Sequence, residues 1–207
     1  MKRVLASLLA LSLLAAPALA HDWSDVAYRL SQATAMLTNW EGKGFCSAFS
    51  IDNKRDYMMT AAHCVDHARE GFLVDNTIPS IVLHNRDIDV AVLYVEGMKR
   101  EELKPRTKPI RVGIEVGSFG FALEDGFLSH FRTGNVSSIT DAGLFRGDSS
   151  EILVYVDQAL IGGMSGGPVV DTDGKVVTVN QLSDRTKHSA GVNIGAIYRA
   201  TKEFWRK

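Results

Sequence analysis

Gly162-Gly163-Met164-Ser165-Gly166-Gly167-Pro168 is the stretch on which the reading of this chain turns. A serine set among glycines marks a tight turn, because residues without a Cβ let the backbone bend sharply and approach other groups closely. Two stretches upstream give the turn its meaning. Thr60-Ala61-Ala62-His63-Cys64 ends a short apolar run, and Asp87-Ile88-Asp89-Val90-Ala91-Val92-Leu93 sets an acid directly before a strand-like segment. A serine hydroxyl is a poor nucleophile at neutral pH and needs a base within hydrogen-bond reach. An imidazole titrates near neutrality and can serve as that base, and a carboxylate can orient it. The chain offers these groups in the order His63, Asp89, Ser165.

Around these stretches the chain reads as brief apolar runs separated by Asn, Asp, Gly and Pro, the residues that make turns. Strands are predicted over 33–37, 44–51, 57–60, 72–74, 81–84 and 90–95, and again over 117–123, 127–135, 151–156, 168–170, 175–180 and 190–194. Between the two sets, GMKREELKPRTKP (97–109) carries a dense charge run and two prolines. Such a segment is excluded as a buried strand and is read as a solvated connection between two halves, 21–110 and 111–207. Its basic residues Arg100, Lys104, Arg106 and Lys108 are interleaved with Glu101 and Glu102, which argues against a ligand site. Ser24–Ser31 reads as one or two helical turns. In 195–205, Ile197, Ala200, Thr201 and Phe204 fall at helical spacing, so the chain is expected to end in a short helix. Phe119, Phe121, Phe127 and Phe131 lie largely at period two and are read as core. Many short strands at regular spacing predict an all-β barrel or sandwich.

The 207 residues are 45% apolar and 23% charged, which excludes intrinsic disorder. A net charge of −1 gives no general drive toward nucleic acid or an anionic membrane. Eighteen glycines and five prolines without a period exclude a collagen-like repeat, and two cysteines exclude a disulfide-dense miniprotein. Residues 1–20 stand apart. Lys2 and Arg3 precede an apolar stretch over Val4–Leu14, and Pro17-Ala18-Leu19-Ala20 supplies the small-x-small pattern of a cleavage site. This is read as a secretory signal peptide, too short and too polar at its flanks to span a bilayer. Export to the periplasm or the extracellular space is expected, with no membrane insertion after cleavage, in a compartment where disulfides persist.

Taken together, the His63, Asp89 and Ser165 stretches resemble the trypsin/chymotrypsin-like serine peptidases. DIDVAVLYV (87–95) and SGGPVVDTDGKVVTVN (165–180) are most similar to the bacterial HtrA-like and glutamyl-endopeptidase-like branches. The resemblance covers about Gly44 to Asn180. It implies an all-β fold of two six-stranded antiparallel barrels with the site in the cleft between them. It implies Ser165 as nucleophile, His63 as base and then acid, and Asp89 as the group that orients the imidazole. The N–H groups of Gly163 and Ser165 are the oxyanion-hole candidates, and Cys46 and Cys64 are the expected disulfide. Ala159, with Leu160 beside it, falls at the floor of the specificity pocket, where no carboxylate is available for Arg or Lys; a small or apolar preference is expected. His188 offers an alternative role in binding an acidic side chain. Protein or peptide substrates are implied, and no cofactor or metal is required. The chain reads as ending too soon after the second barrel for the PDZ domain of HtrA proteins.

One departure stands out. Where the animal digestive enzymes carry an acid before the nucleophile, this chain has Met164, so the activation ion pair of those enzymes cannot form. Other readings are weaker. Gly163-Met164-Ser165-Gly166-Gly167 also fits the nucleophile elbow of α/β-hydrolases, but that fold needs an acid and then a histidine after the serine, and only His188 follows. His63 and His67 have metal-pair spacing, yet Cys64 stands where a zinc peptidase has glutamate. His21 at a new N-terminus could chelate copper, but one terminal histidine is weak support. From a different class comes a catalytically silent member of the same fold acting as a binding or regulatory module.

Overall fold

The turn-punctuated apolar runs fold as thirteen strands among the described residues, which in this computed structural model are 21–68, 70–123, 126, 128–141, 152–184 and 187–206. Residues 1–20, read from sequence as a signal peptide, lie outside them, as do Phe127 and Glu151, the expected first residues of two strands. The first sheet comprises β1 (Thr34–Thr38), β2 (Gly44–Asp52), β3 (Tyr57–Thr60), β4 (Leu73–Val74), β5 (Ser80–Asn85) and β6 (Val90–Tyr94). Its order is β4-β1-β2-β3-β6-β5. The second comprises β7 (Glu115–Ala122), β8 (Leu128–Asp141), β9 (Ile152–Val156), β10 (Pro168–Asp171), β11 (Val176–Val179), β12 (Leu182–Ser183) and β13 (Ser189–Val192). Its order is β11-β10-β7-β8-β9-β13-β12. The pairings within both sheets are antiparallel, and the sheets curl into two half-barrels, the all-β architecture that the resemblance implies. The second sheet has seven strands because β12, only two residues long, adds itself beside β13.

Among the described residues four short helices accompany the strands: α1 (Ser24–Ala33), α2 (Ala62–His67), α3 (Ile194–Ala200) and α4 (Lys202–Trp205). Helix α1 is longer than its sequence suggested and buries Val26, Leu30 and Ala33, spaced along one face. The C-terminal helix is split. The Thr201 hydroxyl donates to the Ile197 carbonyl at 2.7 Å and accepts the Trp205 indole N–H at 2.8 Å, which turns the chain between α3 and α4.

Each sheet has its own core: Leu37, Ala48, Met58 and Leu93 in the first, and Val116, Val136, Val154 and Val177 in the second. A third and larger cluster is common to both. It joins Leu30 of α1, Phe49, Met59 and Val92 of the first sheet, Phe119, Val170 and Val179 of the second, and Ile197 of α3. The charged connection is largely exposed but is anchored to this common core through Leu103. Leu103 is fully buried in it, and its N–H donates to the Ser50 carbonyl at 3.0 Å. The Val176 N–H donates to Lys104 O at 2.9 Å, the Arg106 N–H donates to Val176 O at 2.8 Å, and the Arg106 guanidinium pairs with buried Asp171. Arg100 pairs with Asp75. The basic residues read as a solvated cluster thus include two that tie the connection down.

Candidate active site

His63 lies on the one-turn helix α2, directly after β3, so a central strand of the first sheet fixes where it starts. Asp89 closes the turn between β5 and β6. The Asn85 side chain accepts the N–H groups of Asp87 at 3.0 Å and Ile88 at 3.3 Å, and Ile88 buries its side chain beneath the turn. Asp89 adopts φ +51°, the left-handed region that a short polar side chain tolerates better than most. This conformation places both carboxylate oxygens on His63: Oδ1 accepts the backbone N–H at 2.8 Å, and Oδ2 lies 2.8 Å from Nδ1. Asp89 is buried, and the imidazole is about one-third exposed. With Nδ1 facing a carboxylate, the proton belongs on Nδ1, which leaves Nε2 as the acceptor.

The serine turn between β9 and β10 packs against the same strands. The Ser47 N–H donates to the Ser165 carbonyl at 2.8 Å, and Cys64 Sγ lies 3.7 Å from that oxygen. Gly166 (φ +81°) sits so close to β2 and β3 that a Cβ there would fall 2.2 Å from both the Ser47 carbonyl oxygen and Thr60 Oγ1. The neighbour of Ser165 therefore touches the residue three before His63, and only a residue without a Cβ permits it. Cys46 and Cys64 are joined by a disulfide that ties β2 to α2.

The carbonyls of the serine turn are turned inward. Gly162 O accepts the Leu123 N–H at 2.7 Å, Gly163 O accepts the Ser47 hydroxyl at 2.9 Å, and Met164 O accepts the Gly167 N–H at 3.0 Å and the Asn180 amide at 3.3 Å. In a trans peptide the N–H points opposite to the C=O. Pinning Gly162 O and Met164 O therefore directs the N–H groups of Gly163 and Ser165 the other way. Among the described residues neither of these N–H groups donates to a backbone carbonyl. Gly163 (φ +95°) is obligatory here, since a Cβ would meet the Phe121 carbonyl oxygen at 2.4 Å. Met164, which stands where the animal enzymes carry an acid, is completely buried.

The specificity candidates are arranged less simply. Leu160 is buried, and the Ser183 hydroxyl stands 3.3 Å from its N–H and 3.5 Å from its carbonyl oxygen. A cavity of about 530 Å³ opens beside Ser183, lined also by Tyr155, Leu182, His188 and Ala190; neither Ala159 nor Leu160 lines it. The His188 imidazole is exposed and held by Asp184, with Nδ1 3.0 Å from Oδ2. Cys46, His63 and Cys64 group their potential metal-binding atoms within 4.8 Å, but both sulfurs belong to the disulfide.

Two residues that carry no motif signal prove central. Ser47 sits in β2 as an unremarked strand residue, yet its N–H and hydroxyl hold Ser165 and Gly163, and its Oγ accepts the Phe121 N–H at 3.0 Å. Gln181 is buried. Its amide nitrogen donates at 2.7 Å to the carbonyls of both Ile88 and Asp89, and its oxygen accepts the Val192 N–H at 2.7 Å. It thus clamps the Asp89 turn onto the second sheet. Only its polarity at the end of an apolar strand could have marked it.

Residues 44–179 match the model of the trypsin-like peptidase domain. A chloroplastic protease Do-like 1 from Arabidopsis thaliana is 30% identical over 155 residues, which is 67% of this chain and 32% of that protein, so the chain spans about a third of that relative's length. The fold is similar to that of the HtrA-type protease AlgW with a decapeptide (TM-score 0.75, 18% identity, 89% of this chain and 68% of that one). It is also similar to that of a serine endoprotease from Yersinia pestis (TM-score 0.74, 18% identity, 91% and 68%). With a matched segment that runs from the start of β2 to the end of β11 and includes His63, Asp89 and Ser165, the chain belongs to the trypsin-like peptidase family.

Proposed function

We propose that the chain is an exported serine endopeptidase whose triad is His63, Asp89 and Ser165. The observation that carries this reading is the doubly bonded His63–Asp89 pair, set against a serine turn whose carbonyls are pinned away from the N–H groups of Gly163 and Ser165. In the first step the Ser165 hydroxyl attacks the scissile carbonyl while His63 Nε2 takes its proton. The carbonyl oxygen becomes negative and is met by the N–H groups of Gly163 and Ser165. His63 then gives the proton to the departing amine, the C–N bond breaks, and an acyl-enzyme remains. Water repeats the sequence and releases the acid. Asp89 stays ionised and stabilises the imidazolium. The buried Met164 supports a site formed on folding, without an activating ion pair. Residues 21–110 and 111–207 are read as the two halves whose cleft receives the substrate.

We read an apolar acyl-side preference from the cavity beside Ser183, where Tyr155, Leu182 and Ala190 share the wall with Ser137, Ser138 and Ser189. At its rim the carboxylate of Asp184 already occupies the imidazole of His188, which disfavours an acidic side chain there. Export is supported by the leader-like first 20 residues and by the disulfide. Labelling with a fluorophosphonate tests the reading. Modification of the wild type and none of Ser165→Ala supports it, whereas an unlabelled wild type favours a silent binding module, and casein hydrolysis that survives Ser165→Ala rejects the mechanism.

A further inference from the structure

A cavity of about 320 Å³ adjoins the proposed site on the side of the first sheet, bounded by Trp40, Glu41, His67, Glu70 and Gly71. Its connection to His63 is direct. His67 Nδ1 lies 2.6 Å from the His63 carbonyl oxygen, and the two imidazoles stand edge to face with centroids 6.1 Å apart. Trp40 is half exposed, yet it is not a loose surface side chain. Its indole N–H donates to the Glu70 carbonyl at 2.5 Å, and its ring lies against Gly71 (φ +92°) so closely that a Cβ there would come 2.8 Å from Cζ2. A solvent-facing indole fixed at its edge has already lost the rotamer freedom that binding would otherwise cost. Two exposed carboxylates complete the wall. Glu41 pairs with Lys43, an exposed ion pair of small worth that an incoming cation can exchange.

We infer that this cavity is a subsite for a basic side chain, arginine above all, on the leaving half of the substrate; the inference rests on the proposed peptidase reading. The placement follows from the chemistry. His63 must reach the departing amine to protonate it, so the residues just beyond the scissile bond pass this imidazole, and the wall stacked edge-on against it is the wall they meet. The ligand class follows from the lining. An indole face attracts a cation, a planar guanidinium can stack on it and still present N–H groups at its edge, and carboxylates accept those groups. The cavity beside Ser183 is lined differently: Tyr155, Leu182 and Ala190 are set among Ser137, Ser138 and Ser189, and its carboxylate, Asp184, faces His188.

Cleavage of a peptide library randomised at the first three positions after a fixed scissile bond tests this. The expected result is selection for Arg or Lys at one of them, reduced about fivefold in kcat/KM by Trp40→Ala, reduced likewise by Glu70→Gln, and weakened by added salt. Hydrolysis of a peptidyl p-nitroanilide, which has no residues on the leaving side, is expected to be unchanged by both substitutions. Uniform leaving-side selection, selection for aromatic residues, or an Arg preference that survives both substitutions would overturn the subsite while the p-nitroanilide activity leaves the peptidase reading standing. Loss of fluorophosphonate labelling in the wild type would overturn the peptidase reading itself, and the subsite with it.

Discussion

Asp89 combines a positive φ with a carboxylate that is fully committed to one neighbour, and substitution can separate these two properties. Asparagine tolerates the left-handed backbone at least as well. In Asp89→Asn, however, the amide group facing Nδ1 favours the wrong tautomer, and Nε2 then carries the proton it should accept. The expected outcome is a fall in kcat on the order of 10⁴ with a thermal midpoint close to that of the wild type, read by steady-state kinetics and calorimetry. Gln181 behaves oppositely. Gln181→Ala strands the carbonyls of Ile88 and Asp89 and the Val192 N–H in a buried place, and about 1–3 kcal/mol of stability should be lost together with activity, as measured by denaturant midpoint and kcat. The contrast also explains what could be read from sequence. Serine, histidine and aspartate announce a chemistry, so their neighbourhoods could be found one by one. A glutamine or a serine that acts by holding backbone groups, as Gln181 and Ser47 do, looks like any polar residue until the strands that it bridges are placed.

Most strands were legible as short apolar runs closed by turn residues; the far end of β8, polar and reaching Asp141 where 135 was expected, was not, nor was β12, since two residues carry no period. The helical spacing of the C-terminal segment was real, but spacing does not report a side-chain hydroxyl that turns the chain at Thr201. Between β2 and α2, the Cys46–Cys64 bridge closes a loop with a separation of 18 residues, and the double substitution Cys46→Ala/Cys64→Ala should lower stability by about 3 kcal/mol in chemical denaturation. On α3, burial first, and then the charges of Glu102 and Asp52, push the Tyr198 phenol up to about 12. The neutral form is favoured by folding, so this stabilisation is complete below the ordinary tyrosine value near 10 and is lost as pH rises from there toward 12. Ultraviolet titration should show a phenol that ionises in that upper range, and ionises normally in denaturant.

At the scale of the whole molecule, the two halves were evident from the interruption at 97–109, but their union was not, because the charges of that segment concealed how Leu103 and Arg106 anchor it. The largest core cluster takes residues from α1, both sheets and α3, so unfolding one sheet exposes the apolar surface of the other. A single cooperative transition is therefore expected in calorimetry. Leu103→Ala should lower the midpoint of that whole transition, at a cost of about 2–5 kcal/mol, without splitting it in two. The common core also limits how such a chain can be rebuilt. Neither half is an interchangeable cassette: a chimera that grafts one β-sheet onto a foreign partner inherits half of a mismatched jigsaw, and altered selectivity is better sought in the loops at the rim than by exchanging lobes.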